Sequence, residues 1–293
     1  MKNKKSLLSL AIMIFAMQMF AQEIKHKVLI GVYGGGVSPI AIIDYDGSTI
    51  WEHPIKIDCN DIAYLKDGTI LYCDKKEVNI TNRNNEILWT YKCDPKFEMH
   101  TASETKNGNI LLVECGTPAK LLEINRNNKV KVEIEIPTNT DKKHRQFRNI
   151  RKTIDDTYLI PYLEGKKVCE FDKKGKLIRT IKAPGDNYLA IRLKNGNTMI
   201  ACGDAHCLIE VDINDNIVWR LDENDLEGNT LFFVADFEVL PNGNIMIANW
   251  GGHGHLREQA QLIEITRDKK VVWSYTNWND FGTISTFKVL DNI

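Results

Sequence analysis

Residues 235–249 read ADFEVLPNGNIMIAN. An alternating segment runs into Asn242-Gly243, and a short apolar segment follows. Asn-Gly marks a tight hairpin turn, because both of its residues tolerate positive φ. The stretch therefore reads as a strand, a turn and a second strand.

The same plan recurs along the chain. It appears as DIAYLKDGTILYC (61–73), HTASETKNGNILLVEC (100–115), NIRKTIDDTYLIPY (149–162) and LAIRLKNGNTMIAC (189–202). A second hairpin accompanies each of these: IAIIDYDGSTIWEH from 40, VNITNRNNEILWTY from 78, LLEINRNNKVKVEI from 121, VCEFDKKGKLIRTI from 168, LIEVDINDNIVWRL from 208 and LIEITRDKKVVWSY from 262. Trp51, Trp89, Trp219 and Trp273 stand at matching places in its last strand. A tryptophan repeated there is a packing anchor between neighbouring sheets.

The unit is thus four strands. With Gly68, Gly108, Asp156, Gly196 and Gly243 marking the first turn, it recurs every 40 to 48 residues. An all-β repeat of this period implies a propeller with one blade per repeat. Five complete units run from about 60 to 276. Residues 27–55 supply the last three strands of a further blade, and TISTFKVLD at 283–291 supplies its first. Joining the two ends closes the ring and removes the exposed sheet edges of an open one. The expectation is a single six-bladed β-propeller domain over residues 22–293.

Residues 1–21 stand apart. Lys2, Lys4 and Lys5 precede an apolar run from Leu7 to Phe20, the pattern of a secretory leader ending near Ala21. The run is too short for a convincing membrane span, and no later segment is long and apolar enough to cross. The protein is therefore expected to be exported, to the periplasm or the cell exterior. The charges nearly cancel, 38 basic against 39 acidic, which argues against a nucleic-acid partner. The seven cysteines are odd in number and show no CxxC or zinc-finger spacing. They read as small apolar residues on strands.

The first strand of each propeller blade lines the central channel. Aligned on the turn, the blades begin that strand at Asn60, His100, Arg148, Tyr188, Ala235 and Ser285. The next ring is Asp61, Thr101, Asn149, Leu189, Asp236 and Thr286. Loops on the same face bring Tyr33-Gly34-Gly35-Gly36, Glu114, Tyr162, Asp204, His206 and the run Trp250-Gly251-Gly252-His253-Gly254-His255. Gly196 and Trp219 are 23 residues apart, but Gly243 and Trp273 are 30 apart. The last blade therefore carries an insertion between its second and third strands, either as a functional loop or as a plug over the channel.

His100, Arg148 and His253 are the candidate catalytic residues. An imidazole at the mouth suits acid–base work, and an arginine in the inner register suits a carboxylate, sulfate or phosphate. Asn60, Glu114, Tyr188, Asp204, His206, Trp250 and His255 are the candidate ligand contacts, with Trp250 and Tyr188 as stacking faces. His253-x-His255 with His206 or His100 has the residue types of a three-histidine metal site. That spacing is common in Gly- and His-rich loops, so no metal ligand is assigned. GVYGGG at 31–36 lacks the strand-to-helix context of a dinucleotide loop, and no nucleophile motif appears. The cofactor stays unassigned.

The segments FEVLPNGNIMIANW, LLEINRNNK, IRLKNGNTMIACGDAH and IEITRDKKVVWSY resemble secreted propellers of the PQQ-like and arylsulfotransferase-like repeat type. The resemblance implies a propeller fold and, on the arylsulfotransferase side, group transfer through a channel histidine, with His100 and Arg148 in comparable places. Where that family carries paired histidines, this chain has Met99-His100 and Val234-Ala235. The leading functional expectation is binding of a polar small molecule, a saccharide or an anion, at the channel mouth. A histidine-dependent transferase, lyase or hydrolase at the same place, and a scaffold for a protein partner, are the alternatives.

Overall fold

The computed structural model describes residues 26–34 and 39–291. The expected leader, and Gly35 and Gly36 of the first mouth loop, lie outside the described residues. The described strands number twenty-four, in six antiparallel sheets of four. Five blades are consecutive in sequence: β4–β7 (residues 61–92), β8–β11 (98–136), β12–β15 (151–182), β16–β19 (189–221) and β20–β23 (234–275). The sixth is β24 (Ile284–Val289) paired with β1 (Val28–Val32), then β2 (Pro39–Ile43) and β3 (Thr49–Pro54). The ends of the chain thus share one blade, as the partial repeats require. Among the described residues no helix is long and apolar enough to cross a membrane.

Local chemistry sets the blade plan. Gly68, Gly108, Gly196 and Gly243 take φ of +76° to +87° in the first turn, and Asp156 holds the same place at +61°. The second strand of each blade is a fully buried run and the third is nearly so, whereas the outer strands are largely exposed, as in β3, where Trp51 and His53 alone turn inward. This pattern is that of sheets stacked face to face around an axis. The tryptophans join neighbouring blades: Trp51 Nε1 donates to Arg83 O at 3.0 Å and Trp219 Nε1 to Arg267 O at 2.9 Å. Each of those two arginines also covers the indole, at 5.5 and 4.6 Å from its ring. All seven cysteines are buried and unpaired, in keeping with their reading as small core residues.

Three inner strands carry one extra residue. The register of β8 (Glu98–Glu104) against β9 (Ile110–Cys115) shifts between Met99 and Ala102, and that of β20 (Val234–Val239) against β21 (Ile245–Asn249) between Val234 and Asp236. Such bulges re-aim side chains at the rim of a sheet. The third is in β24, whose register against β1 shifts between Gly31 and Val32 and leaves Ser285 as the extra residue.

Candidate functional site

A belt of buried polar groups closes the channel below its mouth. Arg151 places both terminal nitrogens on the Asp61 carboxylate at 2.7 Å. Asp61 also accepts from the Ala102 and Ile62 amides at 2.9 and 3.0 Å. Thr286 Oγ1 donates to Asp236 Oδ2 at 2.8 Å, and Thr101 Oγ1 donates to Arg148 O at 3.3 Å. The second ring of the strand alignment is therefore a satisfied network that supports whatever lies above it. Asp236 has no cation of its own, since Arg151 is engaged by Asp61. Burial pushes its carboxyl up to about 7 against the pull of Arg151.

Above the belt lies a cluster built on His100 and Arg148, each 1% exposed. His100 Nδ1 faces Asn60 Oδ1 at 3.0 Å, and its Nε2 lies 3.3 Å from Glu98 Oε2. His144 comes from the single-turn 3-10 segment Lys143–Arg145, stands edge-on to His100 with ring centres 5.3 Å apart, and places Nδ1 3.4 Å from the same Glu98 oxygen. Arg148 Nη2 lies 3.1 Å from His144 Nε2. The guanidinium also donates to Tyr188 OH at 3.3 Å and to Phe147 O at 2.8 Å.

The electrostatics follow from this packing. Burial, reinforced by Arg148, holds His100 well below the ordinary histidine value. Burial and the Arg148 and Lys75 cations hold His144 down to about 4. Glu98, beside His100 and facing His144 and Lys75, is held at about 2 despite its partial burial. At neutral pH the cluster thus contains two neutral imidazoles, a carboxylate and the Arg148 cation.

Aromatic rings continue the cluster along the mouth. Tyr188 meets Phe233 edge-on at 5.0 Å, Phe233 meets Trp250 at 5.2 Å and His253 at 6.0 Å, and Trp250 meets His253 at 5.0 Å and Tyr33 at 6.0 Å. Trp250 Nε1 donates to Tyr33 O at 2.9 Å, and burial pushes the Tyr33 hydroxyl up to about 12. The insertion of the last blade folds back on this wall. At Gly252 a Cβ would stand 2.0 Å from the Trp250 ring, so only glycine permits that approach.

The expected site residues divide accordingly. Asn60, His100, Arg148 and Tyr188 come together, and Trp250 and His253 join them through Phe233. Glu114 does not: its carboxylate accepts from Tyr91 OH at 2.9 Å, because β9 turns that side chain towards the preceding blade. Asp204 accepts from the Asp186 amide at 2.6 Å, so it is tied to a neighbouring loop. His206 lies 2.5 Å from Phe232 O through Nδ1. His255 stacks on Phe232 at 3.8 Å and pairs with Glu258 at 3.0 Å. Among the described residues, the group whose ligand atoms could hold a metal is Glu98, His100 and His144, not the histidines of the insertion.

Sequence reasoning missed Glu98, His144 and Phe233. A signal existed for the first two. Glu98 stands two residues before His100, and His144 stands four before Arg148 in KKHRQFR. A hollow of about 170 Å3 lined by His26, Asp44 and Trp273 lies at the opposite end of β1 and does not belong to this cluster.

Fold and site together define a six-bladed β-propeller with a polar and aromatic cluster at the mouth of its channel. The chain belongs to the Mal s 1 allergenic protein-like family, whose profile matches residues 33–270. A solved structure of a protein of unknown function from Bacteroides caccae is similar at 35% identity, covers 92% of this chain and 100% of its own, and superposes with a TM-score of 0.84. Virginiamycin B lyase from Staphylococcus aureus, solved with quinupristin, is similar at 12% identity and TM-score 0.60 over 87% of this chain and 86% of its own. A putative 6-phosphogluconolactonase from Bacteroides fragilis is similar at 12% identity and TM-score 0.59 over 93% and 99%. The last two share the fold alone with this chain. No curated protein matches the chain. The likeness to PQQ-like and arylsulfotransferase-like repeats rests on the blade motifs, and the family shown is the Mal s 1-like one.

Proposed function

We propose that the channel mouth binds a small anionic ligand, a carboxylated, sulfated or phosphorylated molecule of saccharide size, and that Arg148 anchors it. One observation carries the reading. Arg148 is a buried guanidinium, and its hydrogen-bond partners are a tyrosine hydroxyl, a backbone carbonyl and an imidazole nitrogen, all neutral. No carboxylate among the described residues forms an ion pair with it. A buried cation without a counter-charge is costly, and an anion held by paired hydrogen bonds supplies that charge. Tyr188 and the Trp250 wall flank it with apolar faces suited to a ring or an acyl chain. The leader read in residues 1–21 adds the proposal that this binding takes place outside the cytoplasm.

A catalytic reading has one observation of its own. His144 is half-exposed and touches both Arg148 and Glu98, within hydrogen-bond reach of whatever Arg148 holds. An imidazole so placed can move a proton on a bound ligand, in a lyase or hydrolase manner.

The test is a thermal-shift screen of residues 22–293 against uronic acids, sulfated phenols, sugar phosphates and neutral saccharides. At a ligand concentration a hundred times the dissociation constant, apparent stability rises by about 2.7 kcal/mol. The expected hits are anions, and they vanish in Arg148→Met. Hits confined to neutral sugars, or hits retained by that variant, overturn the reading. Turnover of a bound anion that is lost in His144→Ala would convert binder into enzyme.

A further inference from the structure

We propose that Glu98, His100 and His144 form a site for a divalent transition-metal cation of the zinc type, with an open coordination position facing the channel mouth. Two buried acceptor atoms lie side by side at the centre of the cluster. Asn60 Nδ2 is committed to Asp58 O at 3.3 Å, so Asn60 presents its oxygen to His100 Nδ1, which must carry the ring proton and donate. The other nitrogen, Nε2, is then a bare acceptor. It lies 3.3 Å from Glu98 Oε2, also an acceptor, and both atoms are buried without a hydrogen-bond partner. Unpartnered buried acceptors are costly, and a cation between them satisfies both at once.

The spacing suits such an ion. Ligand atoms bound at about 2.0–2.1 Å in a tetrahedron stand about 3.4 Å from one another. Glu98 Oε2 lies 3.3 Å from His100 Nε2 and 3.4 Å from His144 Nδ1, and all three atoms lie within 4.8 Å of one another. Two imidazoles and one carboxylate favour zinc-like ions over calcium or magnesium, which take oxygen ligands. Asn60 provides the outer support: its hydrogen bond to Nδ1 fixes the tautomer and aims Nε2. Three protein ligands leave a fourth position, as in sites that present a metal to a bound molecule.

Binding rearranges one proton. Arg148 donates to His144 Nε2, so in the free protein the His144 proton sits on Nδ1. Coordination through Nδ1 sends that proton to solvent, and Nε2 takes one up in its place. Nε2–H and the guanidinium are then both donors, so the hydrogen bond between Arg148 and His144 is lost while those to Tyr188 OH and Phe147 O remain. The inference does not depend on the anion reading, because its probe is the metal alone.

The experiment uses the chain from residue 22, stripped with a chelator and dialysed, and titrates it calorimetrically with Zn2+. One equivalent is expected to bind, and Co2+ in its place is expected to give the intense visible bands of a four-coordinate nitrogen and oxygen site. Glu98→Gln and His144→Ala should each weaken binding by about 100-fold or more and abolish the cobalt bands. His144 is exposed and outside the strands, so that variant keeps its fold, which melting curves verify. Absence of stoichiometric binding by the folded wild-type chain, or unchanged affinity in both variants, overturns the proposal.

Discussion

Arg148 combines two properties that conflict in a structure selected for stability alone: it is 1% exposed, and its hydrogen-bond partners among the described residues are all neutral. Removing one member of a buried ion pair usually costs about 3–5 kcal/mol, because the partner charge is left behind. Arg148 leaves no such charge behind. Arg148→Met fills similar volume and removes the desolvated cation. It gives up the hydrogen bonds to Phe147 O, Tyr188 OH and His144 Nε2, about 1 kcal/mol each, and the relief of the desolvated charge offsets most of that loss. The ligand-free variant is expected to unfold in urea within about 1 kcal/mol of wild type, or above it, while anion binding is lost. A loss beyond about 3 kcal/mol would make Arg148 a structural residue and remove the main support for the anion site.

Asp61 on β4 and Arg151 on β12 give the opposite case. The strands belong to different blades, the carboxylate is fully buried, and it accepts two guanidinium and two amide hydrogen bonds. Asp61→Asn keeps the shape but strands the Arg151 charge. It should destabilise the protein by about 3–5 kcal/mol, read from denaturant unfolding. A change under about 1 kcal/mol would mean that the belt does not hold the blades. Legibility in the sequence divides along the same elements. The Asn-Gly and Asp-Gly turns and the periodic tryptophans are local signals, and they sufficed for six blades and the shared closing one. The inner register also survived, since Asp61, Thr101, Asp236 and Thr286 all lie in the belt. What failed depends on side-chain direction. The bulge after Met99 re-aims β8, so the usefulness of Glu98 was not visible from strand alternation. Glu114, one strand further out, turns towards Tyr91 instead of the channel. His144 sits in a turn of 3-10 helix whose position no repeat predicts. The polar residues of the insertion were legible as a cluster in sequence. Trp250 and His253 stay with the cluster through Phe233, whereas His255 pairs with Glu258, and in the neighbouring blade's loop His206 and Asp204 are held by Phe232 O and the Asp186 amide.

Ring closure depends on a junction between the two ends of the chain, and that junction contains a titratable clasp. Beside the β1–β24 ladder, buried His26 lies 2.6 Å from Asp291 Oδ2 and 2.8 Å from Glu264 Oε2, and the Lys27 amide donates to Asp291 Oδ1 at 2.9 Å. Burial alone would lower the His26 value, but the hydrogen bonds to Glu264 and Asp291 outweigh it and raise the imidazole above 6.5. A group whose folded value is raised binds its proton more tightly in the native state. The clasp therefore contributes fully below about pH 6.5 and is lost as the pH climbs through the raised value. Asp236, pushed up to about 7, adds a background of the same sign, because its burial favours the protonated form and costs stability as the pH rises towards 7. The two are separated by difference. Melting temperatures of wild type and His26→Gln, recorded from pH 5.5 to 9, should diverge most at the acidic end, with wild type the more stable, and converge at the alkaline end. Asp236 is intact in both proteins and cancels. A gap that is constant with pH would mean that His26 packs at the junction without carrying charge. A gap that widens with pH would reverse the sign of the clasp and place closure on the β1–β24 ladder alone.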